Sequence, residues 1–306
     1  MKPKGLLVVA RKFNDIFYVI SSDAWKRYDK HYLVVIANNG ELSDYPMLEL
    51  FDKAYFIKSK RTRISIIRLL WKLQGITAEF DFNAVASSNV ALTTNLFVMN
   101  KKCVETCYLL EDGLMNYYEF VETSSRTKKI TLKLLCIDEE KLHKKISETY
   151  LLCPEEVVYY YGAPKKIKID FDTILSQSKL PVNLEGKRVM VGNDLYRYYD
   201  ISVDEYSKLT NDLIKKYNID YYIPHFLAYP EEKIDCEIIN ISETRATLEV
   251  YSSKYSYTIY SIFSSVLFTT KLINPKMHCV LLDHPRLCNV SKDNIIYRKV
   301  DEAIVI

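Results

Sequence analysis

The sequence predicts an α/β protein with two domains, each built on a parallel sheet. Short apolar runs at 6–10 and 32–37 are typical of buried parallel strands, and segments with helical spacing follow them. The same strand–helix–strand pattern begins again after residue 186. A chain of 306 residues is also long enough to form two ordinary hydrophobic cores.

In the first half, a predicted apolar strand is followed directly by two carboxylates and a glycine, Glu111, Asp112 and Gly113. Ligands of parallel sheets gather beyond the carboxyl ends of the strands, so we expect both carboxylates to face a cleft. There a carboxylate can accept a substrate proton. The other elements predicted in this half are helices at 41–53, 64–73 and 89–100 and strands at 54–57 and 104–110.

The segment 162–186 loses periodicity and is rich in Pro, Lys and Ser, which is typical of a linker. The predicted domains are therefore 1–165 and 186–306. The linker contains Asp170-Phe171-Asp172, the DxD pattern with which metal-dependent sugar transferases hold a cation. This pattern is short and common, and it does not follow a predicted strand. We therefore expect no metal ion.

In the second half, three polar motifs follow predicted strands. The strand 187–191 ends at Gly192 and Asn193, and the strand 220–225 ends at Pro224 and His225. A strand at 258–263 precedes Ser264 and Ser265, where hydroxyls and helix-start amides form an anion site. Between the first two strands, Ser202 and Glu205 form a capping box for a helix to about residue 217.

Composition limits the partners and the compartment. A net charge of +3 is too small to indicate nucleic acid as the main partner. Seven cysteines without a CxxC pair indicate neither a disulfide framework nor a zinc ribbon, which favours a reducing compartment. The apolar run after Lys4 is too short for a signal peptide, and no run approaches the ~20 residues of a membrane span. We expect a cytoplasmic protein.

A basic stretch covers residues 58–72 and ends in an amphipathic segment. The simpler interpretation is a helix with a solvated basic face. The alternative is a surface that contacts anionic lipid or an anionic acceptor, which would place the protein on the inner face of the cell membrane. The basic residues are Lys58, Lys60, Arg61, Arg63, Arg68 and Lys72.

The order of these motifs, from about residue 109 to 270, resembles the bacterial sialyltransferases of glycosyltransferase family 52. That family includes lipooligosaccharide and capsule sialyltransferases. The resemblance implies the GT-B arrangement, in which two Rossmann-like domains face each other across a cleft. It also implies an inverting, metal-independent transfer from CMP-sialic acid, with no cofactor.

The same resemblance implies roles for particular residues. Asp112 corresponds to the general base and Glu111 to a neighbour or substitute. His225 corresponds to the histidine that protonates or stabilises the leaving CMP phosphate. The remaining residues correspond to the donor-binding side: Gly192, Asn193, Pro224, Ser264 and Ser265.

One feature departs from the family pattern. The family histidine precedes a proline, whereas His225 precedes Phe226. A literal His-Pro occurs at His284 and Pro285, but it follows the paired serines and breaks the family order. We favour His225 and interpret His284 as the end of a late strand.

The chemistry agrees with a donor that carries one phosphate. A histidine, two hydroxyls and helix-start amides can hold such a phosphate without a metal. The predicted reaction moves sialic acid to a terminal galactose of a surface glycan. The alternatives are an α-glucosyltransferase or another glycosyltransferase on the same scaffold, and a non-catalytic protein of glycan assembly. The sequence leaves the oligomeric state open.

Overall fold

The computed structural model divides the chain into two compact units, Met1–Ile174 and Leu175–Ile306. The division falls inside the segment predicted as a linker. The structure describes residues 4–37, 40–59, 63–89, 91–117, 126–158, 161, 163–170, 180–197, 199–225, 228, 231–241, 246–287, 292 and 294–306.

The first unit contains a parallel sheet whose seven described strands have the order β3-β2-β1-β4-β5-β6-β7. After β3 the chain returns to the other side of β1, so β1 and β4 are neighbours with their connections leaving in opposite directions. This pair is the switch point of the sheet. The strands are β1 (Leu6–Ala10), β2 (His31–Ala37), β3 (Lys53–Lys58), β4 (Ala84–Ser87), β5 (Thr106–Leu110), β6 (Ile146–Leu151) and β7 (Lys165–Lys168).

Four helices of the first unit pack on this sheet through one hydrophobic core. Leu73, Leu96, Leu132 and Leu142, from four successive helices, share that core with strand residues such as Leu109. These four helices therefore lie on the same face. The helices are α1 (Phe13–Ile20), α2 (Asp23–Lys26), α3 (Arg63–Ala78), α4 (Thr93–Met99), α5 (Arg126–Leu134) and α6 (Glu139–His143).

The second unit repeats the design with six described strands in the order β10-β9-β8-β11-β12-β13. This is the Rossmann order, and its switch point lies between β8 and β11. The strands are β8 (Arg188–Val191), β9 (Tyr221–Ile223), β10 (Glu237–Ile238), β11 (Thr258–Ser261), β12 (His278–Asp283) and β13 (Glu302–Val305). The helices are α7 (Val203–Tyr217), α8 (Leu248–Lys254), α9 (Ser265–Ile273) and α10 (Ile295–Lys299).

The predicted α/β fold with two parallel sheets is confirmed. The capping box is also present: Ser202 Oγ accepts a hydrogen bond from the Glu205 amide at 3.2 Å, and Glu205 Oε2 accepts one from the Ser202 amide at 2.8 Å. These two bonds satisfy amides that the first turn of α7 leaves without partners. The strand ahead of His284 is confirmed as well, because β12 ends at Asp283.

The helix predicted over 41–53 is wrong. Only two short 3₁₀ turns form there, Leu42–Asp44 and Leu48–Leu50, and β3 already begins at Lys53. Pro46 lacks the amide that a helix interior needs, and Met47 has a left-handed φ of 55°. Both features interrupt a helix regardless of its apolar spacing.

Seven described elements of the first unit were not predicted, namely α1, α2, α5, α6, β4, β6 and β7. The strand β7 lies inside the segment predicted as a linker, and the helix predicted over 89–100 and the strand predicted over 104–110 are both longer than the observed elements. The strand β4 consists of small residues that show no alternation, and α1 follows β1 after only two residues. The helix predicted over 89–100 begins only at Thr93. Among the described residues, no helix combines the length and the apolar character that a membrane crossing requires.

Candidate functional site

Two polar clusters lie at the carboxyl edges of the two sheets, one at each switch point. The first is centred on Asp112, two residues beyond β5. Its Oδ1 accepts a hydrogen bond from Lys12 Nζ at 2.6 Å, and its Oδ2 accepts one from Asn89 Nδ2 at 3.1 Å. Lys12 follows β1 and Asn89 follows β4, so partners from both switch-point strands hold the carboxylate.

The environment of Asp112 is polar and partly open. The Asp112 side chain is 10% exposed and that of Lys12 is 41% exposed. Burial by itself lowers the pKa of Lys12, but the carboxylates of Asp112 and Asp15 outweigh it and raise that pKa above its usual range. Lys12 therefore remains an ammonium group at neutral pH and forms a fixed ion pair with Asp112.

Glu111 departs from the expectation that both carboxylates face a cleft. It is only 1% exposed, and its Oε2 accepts hydrogen bonds from Tyr117 Oη at 2.5 Å and from the Leu152 amide at 2.9 Å. Consecutive side chains of an extended segment point in opposite directions, so one of the two carboxylates turns inward. Glu111 stabilises the local fold, while Asp112 remains near the surface.

Burial raises the pKa of Glu111 from 4.5 to about 7. The hydrogen bonds from Tyr117 and from the amides of Leu152 and Gly113 oppose that rise, because they stabilise the carboxylate. Desolvation is the larger effect. The group therefore titrates near neutrality inside the first unit.

A third carboxylate occupies the start of α1. Asp15 Oδ2 accepts hydrogen bonds from the amides of Arg11 at 2.7 Å and Lys12 at 3.0 Å, and Asp15 is fully buried. The first helix start of a Rossmann-like sheet is a common phosphate site because its amides point at the ligand. In this unit a carboxylate of the protein lies in the first turn and binds the two amides just before the helix.

The second cluster begins at the end of β8, where Asn193 joins the two switch-point strands. Its side-chain nitrogen donates to the Phe263 carbonyl, and its Oδ1 lies 3.0 Å from Ser261 Oγ at the end of β11. Its backbone amide donates to Tyr206 Oη at 2.7 Å. Asn193 is 6% exposed, so in this structure its side chain holds the strand ends together.

Gly192 is required for the close approach of Tyr222. A Cβ atom at this position would lie 2.1 Å from Tyr222 Oη and 3.3 Å from the His225 amide nitrogen. Tyr222 Oη donates to Glu232 Oε2 at 3.2 Å, and Tyr196 Oη donates to Glu232 Oε1 at 2.7 Å. The absent side chain therefore makes room for a tyrosine at the switch point.

His225 lies just beyond β9, with Pro224 half-buried before it. Its Nδ1 is 3.7 Å from Asp194 Oδ1, which is an ion-pair distance when the imidazole is protonated. The His225 side chain is 24% exposed. Because its backbone amide approaches Gly192, the histidine lies at the same sheet edge as the end of β8.

The paired serines begin α9, as the sequence predicted. Ser264 is the N-cap residue, and its Oγ accepts a hydrogen bond from the Val266 amide at 3.3 Å. The first turn of α9 contains no acidic side chain. Since Phe263 binds Asn193, this helix start lies beside the end of β8, and the structure groups His225, Ser264 and Ser265 along one sheet edge.

His284 follows β12 at the same edge. Its Nδ1 accepts a hydrogen bond from the Arg286 amide at 3.2 Å, within the turn that ends the strand. Asp170 of the DxD pattern is described, while Phe171 and Asp172 lie outside the described residues. In the part of the chain that the structure describes, no three His, Cys, Asp or Glu side chains are arranged to hold a metal ion.

Sequence reasoning missed the partners of the predicted residues. Lys12 and Asp194 had a usable signal, because each follows a predicted strand within three residues. Asn89 follows a strand that was not predicted. Tyr206 lies inside a helix, and no sequence pattern indicates that its hydroxyl reaches Asn193.

No protein-family model and no curated protein sequence matches the chain. Among solved structures, it is similar to the UDP-N-acetylglucosamine 2-epimerase of Rickettsia bellii, with 13% identity, a TM-score of 0.52 and coverage of 92% of this chain and 79% of that one. It is similar to the UDP-GlcNAc 2-epimerase of Methanocaldococcus jannaschii, with 10% identity, a TM-score of 0.51 and coverage of 99% and 88%. At these identities the likeness shows the fold.

Glu111→Gln should change how stability depends on pH. Between pH 4.5 and about 7 the unfolded glutamate ionises while the buried one stays protonated, so the wild-type free energy of unfolding should fall by roughly 3 kcal/mol over this range. Glutamine does not titrate, so the variant should gain stability relative to wild type as pH rises. Urea unfolding at pH 5 and pH 8 measures this, and an equal difference at both pH values would contradict it. Tyr117→Phe should shift the transition to higher pH, because it removes a donor to the carboxylate.

Gly192→Ala should destabilise the second unit by about 1–3 kcal/mol, because the new methyl group overlaps Tyr222. The matched control is Gly75→Ala in α3, where no atom lies within 4 Å of the added Cβ. That control should be neutral or stabilising by about 0.5–1 kcal/mol through helix propensity. Thermal unfolding of both variants provides the measurement, and equal effects would exclude a packing role for Gly192.

Proposed function

We propose that the protein is a glycosyltransferase that uses a nucleotide-sugar donor. In its finer form the proposal is an inverting, metal-independent sialyltransferase that moves sialic acid from CMP-sialic acid to a terminal galactose of a surface glycan. The observation that carries it is that the switch point of each unit gathers polar side chains. The switch point of the first unit holds a positioned carboxylate, Asp112, and that of the second gathers His225 with the serines of a helix start.

The starts of the helices support assigning the donor to the second unit. At α1 the first turn carries a carboxylate, Asp15, which already binds the amides of Arg11 and Lys12. At α9 the first turn carries two hydroxyls and no carboxylate. A phosphate at the start of α9 would accept hydrogen bonds from amides and hydroxyls and would gain from the helix dipole.

Asp112 is suited to act as the base. Lys12 and Asn89 fix both carboxylate oxygens, and each oxygen keeps a further lone pair that can accept a proton. In the proposed step the acceptor hydroxyl loses its proton to Asp112 while its oxygen bonds to the anomeric carbon. The bond from that carbon to the phosphate oxygen breaks, and the electron pair leaves with CMP.

His225 is suited to stabilise that leaving group. Its Nδ1 lies 3.7 Å from Asp194 Oδ1, so the protonated ring can form an ion pair with that carboxylate. The cationic ring and the serine hydroxyls would then meet the charge that grows on the phosphate. One phosphate held in this way does not call for a cation.

The structural neighbours support nucleotide-sugar chemistry and leave the nucleotide open. The two proteins reported above act, by their names, on UDP-N-acetylglucosamine. A UDP-sugar transferase and an epimerase are therefore the competing functions. The peripheral location on the inner face of the cell membrane remains a separate proposal.

CMP should raise the melting temperature, and EDTA should leave that increase unchanged. A ligand that binds only the native state stabilises it by about 2.7 kcal/mol at a hundredfold excess over its dissociation constant. The same measurement with UDP and with GDP provides the comparison. A rise in melting temperature with UDP but not with CMP would identify UDP as the donor nucleotide instead. If turnover required manganese or magnesium, Asp170 and Asp172 would again be candidate metal ligands. Conversion of UDP-N-acetylglucosamine without an acceptor would favour the epimerase.

Substitutions separate the base from the phosphate-binding residue. Asp112→Asn should lower turnover by roughly a hundredfold or more and leave CMP affinity nearly unchanged, since a general base contributes about 10²–10⁴. His225→Ala should lower both turnover and CMP affinity. Initial rates with CMP-sialic acid and a galactoside, together with CMP titrations, measure these effects.

His284→Ala is the control for this series. It removes a turn contact at the end of β12 and should affect stability more than turnover. Loss of turnover in a folded His284→Ala protein, with His225→Ala still active, would show that the literal His-Pro is the working motif.

A further inference from the structure

Two helices of the first unit expose large apolar side chains in pairs four residues apart. Ile67 and Trp71 in α3 are 61% and 79% exposed, and Ile130 and Leu134 in α5 are 51% and 79% exposed. Residues at this spacing lie on the same side of a helix. We call these four residues the exposed apolar face.

The two helices belong to one layer. Both α3 and α5 contact α4, and their buried residues Leu73 and Leu132 join Leu96 of α4 in the same core. Lys101, two residues beyond α4, donates a hydrogen bond to Gln74 Oε1 of α3 at 2.7 Å. Since the inner sides of α3 and α5 pack on the sheet, their exposed pairs lie on the outer side of this layer.

The charged side chains of the two helices themselves have one sign. The sequences of α3 and α5 contain no acidic residue. Arg68 and Lys72 are exposed beside the first pair, and Lys129 and Lys133 beside the second. Long basic side chains can lie along an apolar surface while their charged ends reach phosphate groups.

We propose that the exposed apolar face and its four basic neighbours dock the protein on an anionic lipid bilayer. Trp71 and Leu134 enter the interface between headgroups and acyl chains, and the basic side chains bind lipid phosphates. Indole rings favour this interface, and basic amphipathic helices bind there through apolar burial together with attraction to anionic lipid. This arrangement adds a second helix to the basic stretch that the sequence indicated.

A second copy of the chain fits this face less well. In a symmetric dimer the exposed apolar face of one copy would meet the same face of the other. Arg68, Lys72, Lys129 and Lys133 would then face like charges, and neither helix offers a carboxylate to pair with them. An anionic bilayer supplies the opposite charge that such a dimer lacks.

Sedimentation with vesicles tests the proposal without a donor or an acceptor, so its outcome is independent of the proposed function. The protein should bind phosphatidylcholine vesicles that contain phosphatidylglycerol and should dissociate in high salt. Trp71→Ser combined with Leu134→Ser should weaken vesicle affinity by at least about tenfold. Arg68→Gln and Lys72→Gln should weaken it by about fivefold each.

The matched controls are Ile238→Ser and Val305→Ser, which remove exposed apolar residues from strands of the second unit. They should leave vesicle affinity unchanged. Circular dichroism should show that every variant is folded, because all the substituted side chains are exposed. Equal binding of wild type to purely phosphatidylcholine vesicles would overturn the electrostatic part of the proposal, and equal losses in the controls would overturn the assignment of the face.

Fluorescence identifies the inserted residue. The chain has two tryptophans, and Trp25 stacks on His31 with ring centroids 3.6 Å apart. Trp25→Phe keeps an aromatic ring there and leaves Trp71 as the reporter. Its emission should shift to the blue with anionic vesicles and be quenched by brominated lipids. An unchanged spectrum would overturn the proposal, as would a dimer that Trp71→Ser dissociates and that binds no vesicles.

Discussion

The reversal of strand order in each sheet is the constraint on which the polar chemistry depends. In a parallel sheet the connections on either side of a switch point leave in opposite directions, so the loops there do not cover the strand ends. Side chains that follow β1, β4 and β5 meet at Asp112. Those that follow β8, β9 and β11 gather around Asn193, His225 and Ser264. These residues are far apart in sequence and become neighbours only through strand order.

The two units use the same architecture in different ways. In the first, a carboxylate of the protein satisfies the start of α1, and the switch point presents Asp112 in an ion pair with Lys12. In the second, α9 begins with hydroxyls, and an asparagine ties β8 to the residues after β11. The proposed base therefore lies at the first edge and the proposed phosphate site at the second. This difference rests on a few side chains, because the backbones follow the same strand order.

Glu111 and Asp112 are adjacent in sequence but lie in different environments. Glu111 is buried, and desolvation moves its pKa to about 7, whereas Asp112 keeps an ammonium group and an amide as partners. In the second unit, two buried tyrosines contact the residues that follow β8. Tyr222 fills the space left by Gly192, and Tyr206 binds the amide of Asn193.

The sequence by itself determined the fold class, the repetition of the sheet and the strand ends that carry Asp112, His225 and Ser264. These follow from local apolar runs and capping residues, which are legible without tertiary contacts. It could not place Lys12 and Asn89 against Asp112, since that contact requires β1, β4 and β5 to lie side by side. It also misjudged 41–53, where Pro46 and the left-handed Met47 outweighed helical spacing. The inward turn of Glu111 and the exposure of Trp71 were likewise decided only by packing, because burial depends on what the rest of the chain leaves uncovered.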